Sequence, residues 1–179
     1  MKLIFMGTPD FAVVSLNILQ NSRHTVAAVV TATDKPAGRG RKLKASPVKQ
    51  AAERHAIPVL QPQSIKDPQF IKQLKRYNAD CFVVVAFRIL PIEVFSIPPK
   101  GTFNLHASLL PKYRGAAPIN WALIRGESKS GVTTFFIDQQ IDTGEMLFQR
   151  QVSLHNDMTA GELARSAHAQ RRGPGAGKP

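Results

Sequence analysis

Apolar runs of strand length alternate with capped helical segments along the first half of this sequence, and that alternation predicts an α/β fold. The expected architecture is a doubly wound, Rossmann-like and mostly parallel sheet, because β-α-β units cross over with one hand and leave helices on both faces. Two further observations support it. Cys81-Phe82-Val83-Val84-Val85-Ala86 is a continuous β-rich run, the pattern of a strand covered on both sides. Proline directly follows a capping residue at Thr8-Pro9, Ser46-Pro47 and Asp67-Pro68, the pattern of a helix start.

In chain order, Leu3 to Met6 reads as the first strand. A helix capped by Thr8 and opened by Pro9 follows, with Phe11, Val14 and Ile18 on one stripe. Val26 to Val30 is a second strand. Helices begin at Ser46-Pro47 and again at Asp67-Pro68, the latter carrying Phe70, Ile71 and Leu74. Phe82 to Ala86 and Thr102 to Leu105 are strands. The stretch from Ala107 to Pro118 is a loop punctuated by Pro and Gly, and a helix runs from Ile119 to about Arg125. Strands at Val132–Ile137 and Met146–Val152 flank a turn at Asp142-Thr143-Gly144, and a last helix starts at Thr159. Ligands of such folds bind beyond the carboxyl ends of the strands.

Composition narrows the function classes. The 179 residues suit one domain with its own core, and 43% hydrophobic with 20% charged content is ordinary for a globular protein. A single cysteine, Cys81, rules out a disulfide framework and a cysteine-based zinc site. The chain opens on a strand rather than a signal peptide and holds no bilayer-length apolar stretch, so a cytoplasmic location and no membrane partner are expected; a monomer is the expected state, without a sequence feature that carries it. Lys and Arg outnumber Asp and Glu by 24 to 12, a net charge of +12. That excess fits a polyanionic partner or a merely basic soluble protein. Its crowding into one segment (Lys35, Arg39, Arg41, Lys42, Lys44, Lys49, Arg54) favours the partner.

The residue patterns that could carry chemistry lie mostly in the second half. Gly7-Thr8-Pro9 is too poor in glycine for a dinucleotide or phosphate loop, so no nucleotide cofactor is expected. Asn104-Leu105-His106 places an amide and an imidazole on the same face of a strand end. Such a pair suits acyl-type transfer, the amide holding an oxyanion and the ring handling protons. For an isolated Asn-x-His, a capped strand end with a hydrogen-bonded histidine is the better reading. Asp142 is ordinary turn chemistry unless the fold returns it to His106, where it would orient the ring. The apolar loop Ser108-Leu109-Leu110-Pro111 suits a flat aromatic ligand, and core packing explains it as well.

Together these blocks resemble the methionyl-tRNA formyltransferase family. The resemblance rests on Met6-Gly7-Thr8-Pro9-Asp10-Phe11-Ala12, on Asp34-Lys35-Pro36-Ala37-Gly38-Arg39-Gly40-Arg41-Lys42-Leu43, on Asn104-Leu105-His106-Ala107-Ser108-Leu109-Leu110-Pro111 with Arg114-Gly115-Ala116-Ala117-Pro118, and on Ile141-Asp142-Thr143-Gly144. It implies the formyltransferase fold and transfer of formyl from 10-formyltetrahydrofolate to initiator methionyl-tRNA, without a metal. It further implies that Asn104, His106 and Asp142 are catalytic and that Ser108, Leu109, Leu110 and Pro111 bind the folate. The backbone at Arg88, Ile89 and Leu90 would face the pterin; Ala86-Phe87-Arg88-Ile89-Leu90-Pro91 departs there from the Ala-Tyr-Gly-x-Ile-Leu-Pro of many members. Lys35, Arg39, Arg41, Lys42 and Lys44 would reach the tRNA acceptor end. The rival readings are a related enzyme with a small-molecule acceptor or water, and a non-catalytic folate- or RNA-binding remnant.

The end of the chain departs from that pattern. The resemblance runs to about Leu163, whereas family members continue into a second, barrel-like domain. A catalytic domain at 1–163 and a disordered basic tail at 164–179 are therefore expected, the tail marking a truncated or frameshifted end.

Overall fold

The computed structural model describes residues 1–37, 42–155 and 157–169. Strand β1 (Lys2–Gly7) leads into helix α1 (Asp10–Gln20) and strand β2 (Thr25–Val30). A short hairpin of β3 (Lys35–Ala37) and β4 (Lys42–Lys44) precedes α2 (Pro47–Arg54), β5 (Val59–Leu60), α3 (Pro68–Arg76) and β6 (Cys81–Val85). The chain ends with α4 (Ile92–Phe95), β7 (Thr102–His106), α5 (Pro118–Ile124), β8 (Lys129–Phe136), β9 (Met146–Ser153) and α6 (Ala160–Ala169).

The sheet has seven strands in the order β5-β2-β1-β6-β7-β8-β9. The first five are parallel, and β8 and β9 add antiparallel to β7 and to each other. The expected mostly parallel, doubly wound sheet is the observed one. Alternation along β1 sets its two faces. Leu3 and Phe5 pack on Ala12 and Leu16 of α1 and Val48, Ala51 and Ala52 of α2. Ile4 and Met6 join Phe70 and Leu74 of α3 and Val94 of α4 on the other side. β6 repeats the division, with Val83 and Val85 on the first face and Phe82 and Val84 on the second. Strand order reverses between β1 and β6, which opens a crevice at their carboxyl ends.

The helix starts follow their local chemistry. Ser46 Oγ accepts from the Lys49 amide at 3.0 Å, and Asp67 Oδ1 accepts from the Gln69 amide at 2.9 Å. Each cap satisfies an otherwise unpaired N–H, a contribution of about 1 kcal/mol. The first helix differs from expectation. It begins at Asp10 after Pro9 with no side-chain cap, and it buries Ala12 and Leu16 rather than the Phe11-Val14-Ile18 stripe. Close approach is the cause: a Cβ at Gly7 would lie 2.7 Å from that of Ala12 and 2.9 Å from the Val85 carbonyl. Only a small residue fits the turn and the facing helix position, and that rotates Val14 outward to 37% exposure.

The last helix also differs. It continues to Ala169, past the boundary expected at Leu163, so residues 164–169 are helical rather than a tail. A reciprocal cap begins it, with the Thr159 amide donating to Glu162 Oε2 at 2.8 Å and the Glu162 amide donating to Thr159 Oγ at 3.3 Å. Leu163 anchors it at 1% exposure. The expectation of disorder at 170–179 lies outside the described residues. Among the described residues no helix is long and apolar enough to cross a membrane.

Cys81 lies buried at the start of β6. Desolvation, reinforced by the charge of Asp80, pushes its thiol up to about 11. The thiolate is the reactive form. Alkylation near neutral pH should therefore be negligible in the native protein and complete after denaturation, as read by mass spectrometry.

Candidate active site

Strand β7 carries the central pair. Asn104 lies between Val84 of β6 and Phe135 of β8, and His106 lies opposite Thr133 of β8. Both line a cleft of about 800 Å³ at the carboxyl ends of β6 and β7. Ala86 to Leu90 form one wall, and Gly115 to Asn120 and Asp138 to Asp142 form the other. A second depression of about 1080 Å³ beside α3 is lined by none of the candidate catalytic, folate-binding or tRNA-binding residues. The first cleft is therefore the candidate site.

The His106 ring is held at both nitrogens. Nε2 lies 2.8 Å from the carbonyl oxygen of Tyr113. A carbonyl only accepts, so Nε2 carries the hydrogen and donates it. Nδ1 faces Asp142 Oδ2 at 3.5 Å, and the two side chains are 7% and 13% exposed. The same carboxylate oxygen accepts the Gly115 amide at 2.8 Å, which fixes its direction. The fold thus returns Asp142 to His106, as the catalytic reading of that turn residue requires. Asn104 adds a distinct feature. Its Oδ1 is buried without a hydrogen-bond partner, the one such side-chain atom among the described residues. Leaving such a group unsatisfied costs about 1–3 kcal/mol, which a ligand N–H in the cleft would offset.

Local packing explains why Asp142 arrives there. It adopts φ +53°, a left-handed conformation that Asp tolerates better than most residues. Thr143 Oγ donates to Asp138 Oδ1 at 2.9 Å, and the Gln140 amide donates to the same oxygen at 2.9 Å, closing the loop on itself. Gly144 then passes directly against the Phe136 carbonyl, where any Cβ would collide. The glycine of the Asp-Thr-Gly turn is thus required by close backbone approach.

The remaining sequence-based expectations divide. Arg88, Ile89 and Leu90 line the cleft, Leu90 buried and Ile89 73% exposed. Arg88 Nη1 donates to the Gln63 carbonyl at 3.3 Å, and its guanidinium lies 5.2 Å from the Phe87 ring centre. Ser108, Leu109, Leu110 and Pro111 do not line it. Ser108 and Leu110 are buried, Ser108 Oγ donates to the Lys112 carbonyl at 2.6 Å, and Thr133 Oγ donates to the Ser108 carbonyl at 2.7 Å. Gln149 Nε2 donates to the Leu110 carbonyl at 2.9 Å. Leu109 approaches Gly131 of β8, and the ties of Ser108 and Leu110 hold the loop that follows His106.

Lys35 and Lys44 are exposed and opposite each other in the β3–β4 hairpin. Only the backbone of Lys42 is described, and Arg39 and Arg41 lie outside the described residues. The hairpin's base is anchored by Asp34, which accepts from Lys49 Nζ at 2.6 Å and Gln61 Nε2 at 2.7 Å. The Lys49 bond, then the Gln61 bond, hold the Asp34 carboxyl below its ordinary range, and Asp34 raises the Lys49 ammonium. Among the described residues no cluster of three or more His, Cys, Asp or Glu is placed to hold a metal. Thr133, Asp138, Tyr113 and Glu127 were not legible as site residues, because each acts by holding a loop and none belongs to a catalytic pattern.

Comparison with known proteins is consistent along the chain. The formyl transferase family matches over residues 1–173. The chain is 53% identical over 163 residues to the methionyl-tRNA formyltransferase of Flavobacterium johnsoniae, covering 91% of this chain and 52% of that protein. It is 52% identical over 164 residues to that of Acetivibrio thermocellus, covering 91% and 53%. The chain therefore spans about half the length of the curated relatives it matches. Its fold is similar to phosphoribosylglycinamide formyltransferase from Anaplasma phagocytophilum, with a TM-score of 0.75 at 20% identity over 94% of this chain and 80% of that one. A sugar 3N-formyl transferase solved with dTDP and 5-N-formyl-THF gives 0.68 at 24% identity, over 94% and 58%.

The turn geometry yields a direct test. Gly144→Ala should destabilise the protein by about 1–3 kcal/mol through overpacking against the Phe136 carbonyl. It should also move Asp142 away from His106. Thermal melts and a crystal structure of the variant check both.

Proposed function

The chain belongs to the formyl transferase family, and from that premise we propose that it moves a formyl group from 10-formyltetrahydrofolate to the amino group of methionyl-tRNA. The observation that carries the reading is the His106–Asp142 contact with Asn104 in the same cleft. The names of relatives at 53% identity supply the acceptor.

In this mechanism the neutral methionyl amine attacks the formyl carbon, and the carbonyl π pair moves to oxygen. Asn104 donates to that oxyanion, an interaction worth about 3–4 kcal/mol when a preorganised donor is removed. The Nε2–H of His106 is committed to the Tyr113 carbonyl, so the ring accepts the amine proton at Nδ1. Asp142 stabilises the resulting imidazolium and holds its orientation. Return of the electron pair breaks the bond to the folate nitrogen, which takes the proton back from the imidazolium through water. Formyl, proton and electrons balance without an oxidant or a metal.

The cleft accommodates the donor. Its walls at Phe87, Ile89 and Leu90 are apolar, suited to a flat ring, and the unsatisfied Asn104 oxygen is a place for a ligand N–H. On the acceptor side, the net charge of +12 and the paired Lys35 and Lys44 suit a phosphate backbone. Lys42, Arg39 and Arg41 extend the same basic segment in sequence.

The test is formylation of charged methionyl-tRNA by the chain with 10-formyltetrahydrofolate. Asn104→Ala and His106→Ala should each lose about 10²-fold or more in kcat. Replacing Arg39, Arg41 and Lys42 by Ala should weaken tRNA binding and lower its log-salt slope by about 0.7–0.9 per lost phosphate contact. Full turnover by the His106 variant would overturn the mechanism, and unchanged tRNA affinity in the triple variant would remove the basic segment from the interface.

A further inference from the structure

We propose that Glu127 is a positioning residue for His106, acting through the side chain and then the backbone of Tyr113. This rests on His106 being the group that takes the amine proton. The path is short and fully polar. Tyr113 Oη donates to Glu127 Oε1 at 2.6 Å. Lys112 Nζ donates to both oxygens of that carboxylate, at 3.0 and 3.1 Å. Tyr113 in turn offers its carbonyl to His106 Nε2 at 2.8 Å.

Backbone geometry shows why an anchor is needed. Tyr113 sits at φ +58°, a conformation that disfavours a bulky residue and persists only when its surroundings impose it. Toward its start the loop is tied down by Ser108 Oγ on the Lys112 carbonyl. Beyond Tyr113 its side chain is tied to Glu127, which stands just past the end of α5. The Glu127 amide donates to the Ala122 carbonyl at 3.0 Å, so the carboxylate is fixed to that helix end. Those bonds also hold the Glu127 carboxyl below its ordinary range, Tyr113 first and Lys112 second.

The consequence is a choice of nitrogen. With the Tyr113 carbonyl in place, hydrogen stays on Nε2, and Nδ1, facing Asp142, becomes the site that takes a proton. Release of Tyr113 would let the ring place its hydrogen on either nitrogen or rotate. Substrate contacts would be little affected, because Glu127 does not line the cleft.

The test combines ring spectroscopy with kinetics. The imidazole ¹⁵N signals of His106, assigned by their loss in His106→Gln, should report hydrogen on Nε2 in the native chain. Glu127→Ala should give mixed or averaged signals. Glu127→Gln, whose amide oxygen still accepts from Tyr113, should remain near native. In the formylation assay Glu127→Ala should lower kcat about tenfold with KM for the folate within about twofold, part of the roughly 10²-fold loss that small misplacements can cause. Tyr113→Phe keeps the ring and removes only the donor, and it should match Glu127→Ala even where the latter folds poorly. Native His106 signals in Tyr113→Phe, or equal damage in the Gln and Ala variants, would overturn the proposal. A native chain that fails to formylate would instead defeat the reading of the reaction, and the spectra would still decide on Glu127.

Discussion

An imidazole can donate from one nitrogen and accept at the other, and the protein around it decides which. Here that decision is made by two loops that leave adjacent strands and close on one ring. The loop after β7 brings the Tyr113 carbonyl to Nε2 of His106. The loop after β8 brings the Asp142 carboxylate toward Nδ1. The register of β7 against β8, His106 opposite Thr133, makes the convergence possible. Thr133 contributes twice, since its hydroxyl accepts from the Leu110 amide and donates to the Ser108 carbonyl, pinning the first loop to the strand beneath it. Shifting that register by one residue would turn Asn104 and His106 to the opposite face.

The antiparallel addition of β8 and β9 therefore matters more for chemistry than for the core. The packed centre belongs to β1, β2 and β6, whose alternating residues fill both faces. The reversal of strand order beside them opens the crevice, and β7 carries polar residues to its edge. A parallel sheet alone would leave those residues at a strand end with loops on one side. The antiparallel strand supplies the second loop, and the carboxylate arrives with it.

Much of this was legible in the sequence, for physical reasons that differ by element. Ser46-Pro47 and Asp67-Pro68 announce helices because capping is local, and both form the expected bonds. Asn104 and His106 share a face because a strand has period two, which needs no tertiary information. The buried stripe on α1 is not legible in its own sequence, because its phase is set by the squeeze at Gly7, a contact between distant elements. Leu109 and Leu110 could line a pocket or pack a loop with equal ease, because either role asks only for an apolar side chain. The basic composition after Leu163 hides the extent of α6, although Thr159 and Glu162 stand at capping-box spacing and Leu163 supplies an anchor. Tyr113 and Glu127 carried no signal, because their effect on His106 is relayed through a backbone carbonyl.

The central claim is that His106 and Asp142 act as one unit on the reacting formyl group, and a double-mutant cycle on the rate of formyl transfer tests it most directly. His106→Ala, Asp142→Ala and the double variant should be strongly non-additive, the double losing little more than either single, so that the coupling approaches the smaller single loss. Losses that simply multiply would show that the two side chains act independently and would contradict the account.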